Sequence, residues 1–95
     1  MGAFRDHLIA QYENHTIELE GRSDFADGKN KYYLIIDNQR VDEASVMYGK
    51  FTLRGRIDEP NGEKINVTVW CKQGVFGLKS NLEINGRSYN FSKLK

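Results

Sequence analysis

Hydrophobic and polar side chains alternate with a period of two along much of this chain. From Thr16 to Glu20, Ile17 and Leu19 share one face while Thr16, Glu18 and Glu20 share the other. From Lys50 onward, Phe51, Leu53, Gly55 and Ile57 alternate with Lys50, Thr52, Arg54 and Arg56. Further on, Ile65, Val67, Val69 and Cys71 alternate with Asn66, Thr68, Trp70 and Lys72. Successive side chains of a β-strand project to opposite faces, so these runs predict half-buried strands. Tyr32 to Ile36 is apolar at nearly every position, which predicts a central strand covered on both faces. The start of the chain admits two patterns. Phe4, Leu8, Ile9 and Tyr12 fit a helical stripe, whereas Leu8 to Tyr12 also reads as a first strand feeding a turn at Glu13 and Asn14; the strand is the preferred reading.

The breaks between these runs are turn signals. Leu34-Ile35-Ile36-Asp37-Asn38-Gln39-Arg40 rhymes with Leu82-Glu83-Ile84-Asn85-Gly86-Arg87: an apolar run, a polar pair, and a resumption with a basic residue. Asn-Gly is the stronger hairpin pair, because both central positions of a two-residue turn need positive φ; Asp-Asn is the weaker form. A two-residue turn at Asn85-Gly86 sets Leu82 opposite Tyr89 and puts Leu78, Ile84 and Phe91 on the same face. A slip of one residue would turn all five to solvent, so this register is well specified. The same turn at Asp37-Asn38 sets Leu34 opposite Val41. Asp58 to Lys64, with Pro60, Asn61 and Gly62, predicts a hairpin loop, Gln73-Gly74 permits another reversal, and Gly21 to Asn30 is a polar loop in which Phe25 could anchor onto the core. Seven or eight short strands with turns at regular intervals predict an all-β fold, an antiparallel β-sandwich, with a small barrel as the alternative.

Composition narrows the function. Ninety-five residues suit one domain spanning 1–95, and 14 Lys and Arg against 13 Asp and Glu give a net charge of +1, which provides no electrostatic case for nucleic acid or anionic membrane. No run reaches the roughly 18 apolar residues of a membrane helix, and no export signal stands at the start, so a cytoplasmic location is expected. The single cysteine, Cys71, shares a face with Val67 and Val69 and reads as a small buried hydrophobe, not a nucleophile. His7 and His15 are the only histidines, and their spacing fits no zinc motif. Asp24 and Asp27 near Gly28 lack the ligand spacing of a calcium loop. No cofactor, metal or catalytic residue is expected, and the chain reads as non-enzymatic.

One face stands out. Trp70 falls on the polar side of its strand with Asn66, Thr68 and Lys72, and the preceding strand turns Lys50, Thr52, Arg54 and Arg56 to the same side. Parity sets Trp70 opposite Lys50 or Thr52, with Arg54 within diagonal reach in one of those registers. Tryptophan and arginine are enriched at binding hot spots, which makes Trp70, Arg54, Arg56 and Lys50 the candidate partner-binding residues. The competing reading is structural: a cation over the ring, or another segment packed across it.

In order, His15-Thr16-Ile17-Glu18-Leu19-Glu20, Gly28-Lys29, the strand ending Ile36-Asp37, Phe51-Thr52-Leu53-Arg54-Gly55 and Leu82-Glu83-Ile84-Asn85-Gly86-Arg87-Ser88 resemble the amino-terminal half of the Fas apoptosis inhibitory molecule family. The resemblance runs from about His15 to Ser88, and only its final segment is specific. It implies a β-sandwich without a catalytic centre that contacts other proteins in the cytosol. In animals that family moderates death-receptor signalling and is associated with resistance to stress-induced aggregation. The chain departs from the family in having no counterpart of its second domain, in Asn38 where glycine is more usual, and in a longer loop at Gly21 to Asn30. The partner expected is therefore a protein bound by a sheet face or edge. Two other classes remain open: a small barrel with an apolar ligand among Tyr33, Tyr48, Phe76 and Tyr89, and a single-stranded nucleic-acid module using the same tryptophan and arginines.

Overall fold

The computed structural model describes residues 3–24, 28–74 and 78–93, without the side chains of residues 3–6, 23, 24 and 93. Phe25, Asp27 and Phe76, and the side chain of Asp24, lie outside the described residues. The elements are β1 (Ala3–Tyr12), β2 (His15–Asp24), β3 (Lys29–Ile36), β4 (Gln39–Val46), β5 (Gly49–Asp58), β6 (Lys64–Gln73), β7 (Leu78–Ile84), β8 (Arg87–Tyr89) and β9 (Ser92–Lys93). They form two antiparallel sheets, one ordered β4-β3-β2-β1-β9 and the other β5-β6-β7-β8. Among the described residues no ladder joins one sheet to the other, so the fold is a sandwich and not a closed barrel.

The alternating positions behave as the period demands. Ile17, Leu19 and Leu34 of the first sheet and Leu53, Val67, Val69, Leu82 and Ile84 of the second are fully buried between the layers. Burying one side chain of this size contributes about 1.5–3 kcal/mol, so these residues dominate the stability of a domain this small. The first strand is extended from Ala3 to Tyr12 and turns at Glu13 and Asn14, as preferred over the helical stripe. Leu82 faces Tyr89, and the five apolar residues of the last hairpin are buried or half-buried.

The rhyme between the two turns is the visible part of a larger correspondence. β1 to β4 and β5 to β8 are each a four-strand meander. Leu8–Leu19–Leu34 across the first matches Leu53–Val69–Leu82 across the second, and Ala10–Ile17–Ile36 matches Gly55–Val67–Ile84. Both hairpins turn through positive φ at both central positions, 50° and 68° at Asp37 and Asn38, 50° and 84° at Asn85 and Gly86. Both are clasped alike. Asp37 N donates to Thr16 O while Asp37 Oδ1 accepts from Thr16 N, and Asn85 repeats both bonds with Asn66, all at 2.9 Å. A short side chain carrying an acceptor oxygen at the first turn position thus ties the hairpin to the strand beside it.

Three expectations are corrected. Leu34 pairs with Asp42, not Val41, because a bulge follows the turn and leaves Val41 without a ladder partner. The bulge has two uses: it frees the Asp42 carboxylate to accept the Arg54 backbone N–H of β5 at 2.9 Å, and it aims Val41 at the space above Gly55. A Cβ on Gly55 would lie 2.8 Å from Val41 Cγ2 and 2.9 Å from Ile36 Cδ1, so the sheets close here only over a glycine. The outer face of β3 is not covered by a second layer either. Tyr33 and Ile35 are half-buried, and the Arg40 guanidinium lies 4.1 Å over the Tyr33 ring in its place. β2 continues to Asp24, which leaves only 25–28 between it and β3, so the polar loop is shorter than Gly21 to Asn30.

Candidate functional site

The outer face of the second sheet is built from the polar positions of β5, β6 and β7. Asp58 pairs with Lys64, so the loop between β5 and β6 holds five residues, and Trp70 stands opposite Thr52 on one side and Asn81 on the other. The neighbouring row is Lys50, Lys72 and Lys79, one from each strand. These residues line an open groove of about 470 Å³, with Phe51, Cys71 and Ser80 forming the row between them. Trp70, at the centre of the sheet, keeps 45% of its surface exposed. Met47 and Tyr48, exposed by 57% and 68%, form the crossing between sheets at the end where Gly49 pairs with Gln73, next to Lys50.

Like charges directly across a ladder destabilise a sheet. Lys72 has a lysine on each side, and none of the three is in an ion pair among the described residues. The four candidates from the sequence separate here. Lys50 shares the groove with Trp70; Arg54 lies one row beyond, diagonal to the tryptophan; Arg56 is a further row away, its Nε 3.2 Å from Asp58 Oδ1. The only cation stacked on a ring among the described residues is Arg40 on Tyr33, so Trp70 has no guanidinium over it. Lys79 was not singled out by the sequence pattern. Its side follows from the Asn85-Gly86 register, but its row depends on the length of the reversal after Gln73, which composition leaves open.

A second cluster occupies the opposite end of the sandwich. His15 Nδ1 is 2.7 Å from Asp37 Oδ2 and its Nε2 is 2.7 Å from Glu59 Oε1. Both contacts require an N–H, which is the arrangement of an imidazolium between two carboxylates. The hydrogen bonds to Asp37 and then Glu59 raise the His15 pKa, and the same contact, with the Thr16 N–H, lowers that of Asp37. This clasp joins β2, the β3–β4 turn and the β5–β6 loop. Its imidazole nitrogens are consumed by the carboxylates, and among the described residues no group of His, Cys, Asp and Glu could hold a metal ion.

The remaining candidates for chemistry are placed as follows. Cys71 is buried, and desolvation pushes its thiol up to about 12. Tyr48 is on the surface, Tyr33 is on the outer face, and Tyr89 packs edge-on against Tyr12 at 5.6 Å at the core margin. These three do not line a cavity between the sheets. No helix among the described residues is long and apolar enough to cross a membrane. Neither a family model, a curated protein nor a solved structure matches the chain.

Proposed function

We propose that this chain is a non-enzymatic protein-interaction module, acting in the cytosol as the resemblance to the Fas apoptosis inhibitory molecule family implies, and that its working surface is the Trp70 face of the second sheet. The observation that carries this reading is an exposed tryptophan in mid-sheet beside a row of three uncompensated lysines. A large ring left half wet and a row of like charges are both unfavourable for the isolated fold, and both are relieved when a complementary surface covers them. The edge of the same sheet offers the main-chain hydrogen bonds that such domains use to hold partners.

The test is capture from a native lysate with wild type and Trp70→Ala side by side, their circular dichroism compared beforehand. The expected result is an unchanged fold with capture lost. Equal capture by the folded Trp70→Ala protein would overturn the reading. Capture dominated by nucleic acid, removed by nuclease, would transfer the face to the stacking and phosphate chemistry of a single-strand binder.

A further inference from the structure

The second sheet has one edge that the fold leaves half open. β8 covers β7 only from Leu82 to Ile84, whereas β7 begins at Leu78. In a hairpin closed by a two-residue turn the flanking residues, here Ile84 and Arg87, exchange hydrogen bonds, and bonding alternates from there. Ile84 and Leu82 therefore spend their backbone groups on β8. By the same alternation Ser80 and Leu78 direct theirs past its end, where no described strand pairs with them. Elsewhere the Arg54 N–H on β5 is taken by the Asp42 carboxylate and β4 carries the bulge at Val41; β1, paired by β9 only at Leu8 and Ile9, is also open, but it lies in the other sheet, away from the Trp70 face.

We infer that the partner segment is an extended acidic peptide that adds as a strand to the open half of β7, a conclusion that rests on the reading of the Trp70 face given above. The charge pattern specifies the occupant. A strand beside β7 would extend the rows already present, so its residue opposite Lys79 ends the Lys50–Lys72–Lys79 row, and a carboxylate there supplies the countercharge the row lacks. Two residues along, opposite Asn81, the incoming side chain ends the Thr52–Trp70–Asn81 row. Strands lie about 4.8 Å apart, so this side chain starts roughly 10 Å from Trp70, a gap that two aromatic side chains leaning over Asn81 can close. The recognised pattern is thus an Asp or Glu and an aromatic residue two positions apart in a β-prone segment.

The test uses a synthetic peptide alternating Glu and Phe with Thr and Val, its Lys-for-Glu counterpart, and a version N-methylated along one edge. Trp70 is the chain's single tryptophan, so its emission reports occupancy directly. The acidic peptide is expected to shift that emission to the blue, to slow exchange of the Leu78 and Ser80 amides, and to bind less tightly as salt rises. Lys79→Glu should weaken it about tenfold and improve binding of the Lys peptide, since charge contacts at such rows are worth on the order of 1.4 kcal/mol. N-methylation should abolish the amide protection. No binding by the acidic peptide, or binding without protection at Leu78 and Ser80, would overturn the inference, as would preference for an oligonucleotide over the peptide. Failure here alongside Trp70-dependent lysate capture removes only the strand-addition claim; loss of Trp70 dependence removes both.

Discussion

On the outer face of the first sheet, His7 meets Glu18 at 2.7 Å, Arg22 meets Glu20 at 3.1 Å and Arg40 lies over Tyr33. On the matching face of the second sheet, three lysines stand in one row and a tryptophan beside them is uncovered. The two meanders have the same strand order, the same turn geometry and the same Asx clasp, so the fold does not require the difference. It lies only in whether polar side chains find partners within the chain. The first sheet pairs several of its outer charges internally, whereas the second pairs Arg56 with Asp58 but leaves its lysine row without an ion pair among the described residues. The same architecture therefore carries two different outer surfaces, and the proposed function is placed where the second copy departs from the first.

The comparison can be broken most directly in the core. Leu34 and Leu82 occupy equivalent rows and are both fully buried, so Leu34→Ala and Leu82→Ala should each cost about 2–5 kcal/mol in urea unfolding followed by circular dichroism. Similar losses with a single transition are expected of one shared core; two transitions would show that the meanders melt separately. Next comes the asymmetric pair Ala10 and Gly55. Gly55→Ala forces Val41 and Ile36 to yield, and because both contacts are side-chain ends the expected loss is about 1–3 kcal/mol. No loss would mean that the sheets are not held at the spacing described.

The turns can be made more alike. Asn38 has a φ of 68° where Gly86 holds the same place in the other hairpin, so Asn38→Gly should raise stability by a few tenths to about 1 kcal/mol. A shared clasp predicts that this gain depends on Asp37, and Asp37→Ala should cancel it. The smallest effect is one of pH. The folded pKa of His15 is raised above its ordinary 6.5, so the stability it contributes is complete below 6.5 and is lost as pH rises through the raised value. The folded pKa of Asp37 is lowered below 3.8, so its contribution is complete above 3.8 and is lost as pH falls through the lowered value. Urea midpoints should therefore be highest between those limits and decline on the alkaline side, with His15→Gln flattening that decline; an unchanged slope in the variant would assign it elsewhere.

Most of the sandwich was legible because a period of two leaves little freedom. The pairing of Leu82 with Tyr89 and the shared face of β5 and β6 follow from alternation and from turn residues that tolerate positive φ. The bulge at Val41 was not legible, since it is set by a backbone N–H on β5 that needs an acceptor, a demand made across the sheets and not along β4. Of the candidate face, Trp70 and Lys50 were visible together. Lys79 was hidden because its row depends on a loop length that Gly74 leaves undetermined. Arg56 has the same parity but lies two rows from Trp70, with Asp58 beside it.

The buried thiol on β6 offers something more. Cys71 is the chain's only cysteine, it lies at the back of the strand that presents Trp70 and Lys72, and a pKa of about 12 leaves almost no thiolate at neutral pH. A maleimide can reach it only when the layers part, so the rate of alkylation becomes a clock for that opening. A molecule seated on the front of the sheet should slow the clock without ever touching the sulfur.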